Sequence, residues 1–464
     1  MLRSPLSRAL TVGRHSLLAA GWLAAACSGG TGGPAGQSPA SPPAPQRAAG
    51  SLSFDATPFY RQMGLIARGI PFPVLGRATY LGSSNPDTTH VVVALAFASN
   101  ALAFAREADD RFRAKYHVTI LIGRGSQVVA RADADEQVVV GSYRETVRTD
   151  EAIIFQEVLD VPPGQYTLAV SLEDQGSRRS IEERITIDVP RLGLVGLSTP
   201  APVVEVVSRT SRDALPNLVL SPSGTAVVGR DSIIPLYVES YGGPGIPLRL
   251  FVRNEHGKLL WTDTVSLSSR GAIDAGVIAV PVARIGIGTA RLTFIREGGS
   301  DSVSTNVFVG FGGELPVASY EDILSFLRYY ASPARLQRLR EAPEEERPAA
   351  WAEFVRATDP NPQTPEHEEL RGYFTKLIRA NGRFREEATP GWLSDRGRVF
   401  VALGEPDQLI EPAGAEFQRN RQQIWEYRSL NLQLVFLDQT GTGRWRLTQA
   451  SEVRFEGEFR RRLK

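Results

Sequence analysis

The stretch Val161-Pro162-Pro163-Gly164-Gln165-Tyr166 decides how the first half of the chain is read. Two prolines and a glycine mark a turn, and a tyrosine opens the strand that follows. The pattern reads as a tyrosine corner, in which a Tyr at the start of a sandwich strand hydrogen-bonds back to the backbone. Strands are expected on both sides of it. His90–Ser99 is apolar enough to be buried. Tyr116–Gly123 and Gln127–Arg131 form a hairpin around Gly123–Ser126, and Ala152–Val158, Tyr166–Glu173 and Ile181–Val189 follow.

Residues 200–312 repeat the design. Strands are expected at Asn217–Leu220, Ser232–Ser240, Leu248–Arg253, Leu259–Leu267, Gly276–Val282, Ala290–Arg296 and Ser302–Val309. Gly288 and Ala290 take the places of Gly164 and Tyr166, so the second copy lacks the corner. The pattern predicts two tandem all-β, immunoglobulin-like sandwiches, at 51–190 and 200–312, with a junction marked by Pro190, Pro200 and Pro202.

After Gly312-Gly313 the periodicity becomes helical. Ser319 and Asp322 have the spacing of a capping box, and Ile323, Leu324, Leu327 and Tyr330 share a face. Further helices are expected at Pro333–Glu341 and Glu344–Ala357. Another should open at Thr364-Pro365-Glu366 and run to about Arg385. Past Pro390 the expectation returns to strands: Arg398–Leu403, Gln423–Tyr427, Leu432–Leu437 and Gly443–Thr448. Residues 315–464 therefore read as an α+β domain.

The N-terminus carries an address. Arg3, Arg8 and Arg14 precede an apolar run, Ser16–Ala26, too short to span a bilayer. Cys27, the only cysteine, follows at once. Residues 1–26 read as a signal peptide and Cys27 as the lipidated first residue of a mature lipoprotein. Residues 27–50, rich in Gly, Ser, Pro and Ala, read as anchor and linker. Ser28, rather than Asp, resembles an outer-membrane address. Net charge is +1, which gives nucleic acid no basic field to bind.

One block stands apart: Gly391-Trp392-Leu393-Ser394-Asp395-Arg396-Gly397-Arg398, then Gly404-Glu405-Pro406-Asp407. Trp351, Phe354 and Arg356 precede it, with Glu368, Tyr373, Arg379, Asn381 and Phe384 in between. Trp425, Tyr427 and Phe436-Leu437-Asp438 follow. Over about 315–450 this resembles the GWxTD-domain proteins, bacterial envelope proteins often read as lipoproteins. Ser394 replaces the Thr of that signature, and His367 stands where the family commonly has Asn.

The resemblance names no reaction. Gly391, Ser394, Asp395, Gly404, Pro406 and Asp407 suit tight turns, and Trp392 suits an apolar anchor. Asp395 is expected to pair with Arg396 or Arg379. As a binding site, Glu368, Arg379, Asn381, Trp392, Asp395 and Arg396 would line a cleft for a sugar or a peptide. The histidines lack HxH or HExxH spacing, and no nucleotide-binding or serine-hydrolase motif is present, so no metal or cofactor is expected. Glu344-Glu345-Glu346 reads as a solvated helix start, and Arg460–Arg462 with Lys464 as a soluble basic end. The expectation is an envelope binding or scaffold protein that meets the membrane through its N-terminal lipid and has an envelope protein or glycan as partner. The alternative is a hydrolase of envelope glycan or peptide that uses Glu368 and Asp395.

Overall fold

The computed structural model describes residues 57–69, 72–148, 152–269, 271–299, 301–311, 319–364, 367–387, 389–412 and 421–464. The signal segment, Cys27, the linker, Gly312-Gly313 and Pro365-Glu366 lie outside the described residues. The chain is mostly β-sheet, in sandwich-like pairs, with a helical C-terminal region.

In the first pair, one sheet orders Ile66–Arg68, Val74–Gly82, Thr89–Ala98 and Ala152–Val161. The other joins Ala105–Arg106, Phe112–Arg124, Gly164–Asp174 and Ser180–Val189, with Gln127–Val140 also on Phe112–Arg124. Alternate residues point inward, so Val91, Val93 and Leu95 meet Ile120, Leu168 and Val170 in one core. The expected hairpin forms, but its second strand runs on to Val140. The tyrosine corner does not form. Tyr166 is buried, yet no hydrogen bond ties its hydroxyl to backbone among the described residues; the Arg124 guanidinium lies 5.0 Å from its ring centroid instead.

In the second pair, Asn217–Leu220, Ala201–Val207, Ile233–Tyr241, Asp274–Pro281 and Ser268–Ser269 form one sheet. Thr225–Val227, Ser302–Gly310, Gly288–Arg296, Leu248–Asn254 and Leu259–Val265 form the other. Pro202 is not in a linker. It lies in a strand that pairs with Ile233–Tyr241 through Ala201 and Pro202 and with Asn217–Leu220 from Val203 on, with a bulge between Val203 and Glu205.

The sandwiches share a buried interface, where Leu81, Val92 and Ala94 of the first pack against Ala201, Tyr237, Tyr241 and Ala275 of the second. Glu239 is fully buried at that interface. Its carboxylate accepts from Arg209 Nε and Nη2, each at 2.7 Å, from Tyr237 Oη at 2.8 Å and from Tyr241 Oη at 2.5 Å. The network crosses into the first sandwich: Gly82 N donates to Tyr241 Oη and Gly82 O accepts from Arg209. Burial opposes the Arg209 charge, but Glu239 outweighs it and holds the guanidinium above its usual pKa. Arg77, also buried, donates to Pro222 O, Thr305 Oγ1 and Asn306 O of the second sandwich; burial lowers its pKa to about 10.

The C-terminal domain is tied to the second sandwich. Asn254 Nδ2 donates to Glu344 at 2.6 Å, His256 lies 3.1 Å from the same carboxylate, and Lys258 reaches Glu345 at 3.4 Å. The acidic run is thus an interdomain contact, not simply a solvated face. Its helix starts later than expected, at Arg347–Thr358. Phe311 stacks on Phe374 with centroids 4.1 Å apart.

Within this domain the capping box at Ser319 and the helix Pro333–Glu341 form as expected. Three expectations fail. Arg398–Leu403 belongs to a helix, Asp395–Leu403. The long helix Glu368–Arg383 is capped by His367 rather than Thr364. The basic end is the helix Gln449–Arg462, and Lys464 is held by backbone hydrogen bonds with Ser332 and Tyr330. The sheet Gln408–Ile410, Arg421–Tyr427, Leu432–Asp438 and Arg446–Leu447 completes the domain.

Removing one partner of a buried ion pair leaves an uncompensated charge. Glu239→Ala should therefore lower unfolding stability by about 3–5 kcal/mol in a denaturant titration. His90 tests the same interface by pH. Burial depresses its pKa, against the pull of Asp160, whose Oδ1 lies 2.6 Å from Nδ1; Arg209 and Glu239 also act on it. A depressed histidine favours folding while neutral. Its contribution should be complete above about pH 6.5 and lost as pH falls through the lowered pKa. Unfolding free energies measured from pH 8 to 5 should show this loss in the wild type and not in His90→Gln.

Candidate functional site

The signature block is a turn driven into the end of the long helix. Gly391 opens a short 3₁₀ turn, and a Cβ there would sit 2.4 Å from Asn381 O and 2.5 Å from Ala380 O. At Gly397 a Cβ would sit 1.8 Å from Gly391 O. Neither glycine has positive φ; each is required because backbones touch. Gly404 does need its positive φ, +92°, to end the helix Asp395–Leu403.

Ser394 caps that helix. Its hydroxyl accepts from Gly397 N at 3.1 Å and donates to Gly391 O at 2.7 Å. A threonine hydroxyl performs the same task, which explains why Ser serves here. Asp395 Oδ2 accepts from Leu447 N at 2.7 Å, fastening the helix start to the last strand. Its ion partner is Arg398, at 3.4 Å, rather than Arg396 or Arg379. Arg398 continues to Glu452 of the terminal helix. Trp392 is fully buried, edge-on to Phe326 with Arg328 above its ring.

His367 caps the long helix with a ring nitrogen. Nδ1 accepts from Leu370 N at 3.1 Å, while Nε2 faces Thr358 Oγ1 at 3.1 Å and Tyr330 Oη at 3.3 Å. Thr358 donates its own proton to Phe354 O, so Nε2 carries the hydrogen of the ring. An Asn side chain supplies the same acceptor, and the substitution preserves the cap.

The six residues expected to line one cleft are not assembled into one. Glu368 is exposed at the start of the long helix. Arg379 and half-buried Asn381 lie 11 and 13 residues further along, about 16–20 Å by helical rise. Trp392 is in the core and Asp395 faces the last strand. Asp395 is engaged with Leu447 and Arg398, and among the described residues no contact joins it to Glu368. The other acids are also engaged. Glu405 pairs with Arg383 and, at 3.8 Å, with Arg379. Asp407 accepts from Arg428 N at 2.7 Å, and Pro406 lies between them in the turn that leads to Gln408–Ile410. Tyr427 Oη closes that turn onto Gly404 O at 3.0 Å.

Arg396 is the exception among the signature residues. It stacks 4.8 Å from the Trp445 centroid and 5.4 Å from that of Phe384, and burial pushes its pKa down to about 10. Nothing in the sequence pattern paired it with these rings, because Phe384 and Trp445 are far apart along the chain. Elsewhere in the domain, a polar groove of about 670 Å³ is lined by Tyr427, Arg428, Asn431, Gln433, Arg454 and Glu458. Among the described residues no cluster could hold a metal ion, and no helix is long and apolar enough to cross a membrane.

The C-terminal region carries a GWxTD domain: the family model described as the GWxTD domain matches residues 294–451. The match starts inside the strand Gly288–Arg296 and ends within the helix Gln449–Arg462, so it includes the last strand of the second sandwich. A comparison with curated proteins found no match. Among solved structures, the chain is similar to the BSP domain of a biofilm-associated protein at 7% identity and TM-score 0.17, covering 51% of each chain. It is similar to trypsin-activated alpha-2-macroglobulin from Escherichia coli at 10% identity and TM-score 0.19, covering 55% of this chain and 18% of that one. A third likeness is to Bifidobacterium dentium beta-glucuronidase, at 12% identity and TM-score 0.15, covering 52% and 44%. The chain thus spans about half or less of each, and at these scores the likenesses carry no argument.

Substitutions separate the roles. Gly397→Ala should block folding of the domain or cost at least the upper end of about 1–3 kcal/mol, because backbone must move. His367→Ala should cost about 1 kcal/mol and His367→Asn less, both read from thermal melts.

Proposed function

We propose that the protein is a lipid-anchored protein of the cell envelope, held at the outer membrane by acyl chains on Cys27. In this reading, two immunoglobulin-like sandwiches and a GWxTD domain act as one rigid binding scaffold. The observation that carries the reading is the inward commitment of the signature. Gly391, Trp392, Ser394, Asp395 and Gly397 are all engaged within the chain, so the signature defines a fold and recognition falls to the outer surface. The interdomain networks support a scaffold rather than a flexible string, since both junctions bury or pair charged groups.

The signal-like run before Cys27 supports the anchor, and residues 28–50 would lift the folded part off the bilayer. The partner class is an envelope protein or glycan; the near-neutral charge disfavours nucleic acid. The sheet pairs, antiparallel except where Thr225–Val227 runs parallel to Ser302–Gly310 and each about 100 residues of chain, favour the immunoglobulin-like description. The missing tyrosine corner counts against a close kinship.

Two measurements test the proposal. Mass analysis of the processed N-terminus should find a diacylated or triacylated Cys27, and an unmodified thiol contradicts the anchor. Asp395→Asn should lower the melting temperature, equivalent to about 1–3 kcal/mol, by weakening the bond to Leu447. Unchanged melting with loss of a hydrolytic activity would overturn the scaffold reading.

A further inference from the structure

The C-terminal domain carries a row in which arginines alternate with aromatic rings. The guanidinium carbon of Arg421 lies 5.4 Å from the Trp445 centroid, and that of Arg396 lies 4.8 Å from the same ring. Arg396 is also 5.4 Å from Phe384. Arg383 is 5.1 Å from Phe384 and 5.8 Å from Phe400, and Arg379 is 5.6 Å from Phe400. The row is built from the end of the long helix, the signature helix and the final sheet. Its rings are buried, whereas the side chains of Arg379, Arg383 and Arg421 are 63%, 43% and 53% exposed.

Stacking fixes the plane of a guanidinium and leaves its N–H edge for a planar acceptor. Side chains so ordered lose less entropy when a ligand arrives. One end of the row already shows the matching chemistry, because the Glu405 carboxylate sits against both Arg383 and Arg379. The other end is not matched. Asp438 reaches Arg421 only at 3.7 Å. Arg396 makes no ion pair among the described residues, and its buried Nε has no hydrogen-bond partner there. The exposed guanidinium edge of Arg421 is therefore the part of the row open to an incoming carboxylate.

Resting on the scaffold reading above, we propose that this row docks a carboxylate-rich peptide segment of a partner protein, with one Asp or Glu seated on the exposed guanidinium of Arg421. The row is narrow, and Glu386, Glu405 and Asp438 are interleaved with it, so it suits spaced single carboxylates better than the dense negative surface of a membrane.

The test uses the intact chain and a hexaglutamate peptide as probe, with inorganic phosphate and phosphatidylglycerol vesicles as comparison arms, by titration calorimetry. The wild type should bind hexaglutamate, more weakly as salt rises. The double variant Arg379→Gln, Arg421→Gln, altered only at exposed side chains, should lose at least tenfold in affinity with its melting curve preserved. Arg454→Gln, in the separate polar groove, should bind as the wild type does. Failure of the wild type to bind, equal binding by the double variant, or preference for phosphate or vesicles would each overturn the inference. Crosslinked pull-down from native membranes separates it from the broader reading. A partner still captured by the double variant leaves the scaffold standing and removes this row as its docking site.

Discussion

The buried carboxylate of Glu239 is the constraint on which the arrangement of the sandwiches depends. A charge at that depth is tolerated only if its acceptor positions are filled. The chain fills them with Arg209 and with Tyr237 and Tyr241 of the same strand. Two of those donors also reach the first sandwich at Gly82, whose O accepts from Arg209 and whose N donates to Tyr241 Oη. Gly82 cannot be larger, since a Cβ there would lie 2.8 Å from both Arg212 and the Tyr241 ring. The relative placement of two sheets is thus fixed by hydrogen-bond geometry that permits few alternatives, and apolar contact alone would permit many more.

The same logic recurs at the other junction on a smaller scale. The turn at residues 254–258 of the second sandwich meets Glu344 and Glu345, and Glu255 accepts from Tyr320 N at the start of the next helix. Gly286 comes against Pro348 closely enough that a Cβ would lie 2.9 Å away. Within the C-terminal domain, close backbone contact at Gly391 and Gly397 sets the angle between two helices, and Asp395 and Arg398 join that unit to the sheet and the terminal helix. A body organised in this way moves little internally. It is suited to holding surface groups at fixed spacing, which is what the arginine row requires.

Much of the β architecture was legible in the sequence because alternation at period two is a strong signal. Leu248–Asn254, Gly288–Arg296 and Ser302–Gly310 fall within one or two residues of expectation. The strands that escaped had specific reasons. Val74–Gly82 is broken in pattern by Gly76 and Arg77, and Arg77 is spent on the interface. Ala201–Val207 was hidden by prolines that normally mark linkers. Arg398–Leu403 looked extended because Val399, Phe400 and Val401 are strand formers, yet the Ser394 cap and the packing of Gly397 impose a helix. Of the candidate site, the capping role of Ser394 was legible from its hydroxyl. The supposed cleft was not, since residues near in sequence order were pulled to different partners. Tyr237, Glu239 and Tyr241 did leave a readable trace: an acid flanked at i±2 by tyrosines on one strand face of an otherwise apolar run.

A rigid scaffold requires the domains to behave as one body. Differential scanning calorimetry of the intact chain, compared with its van't Hoff enthalpy, tests this most directly. One reversible transition is expected, in which the two enthalpies agree. Separate transitions assignable to the sandwiches and the C-terminal domain would contradict it.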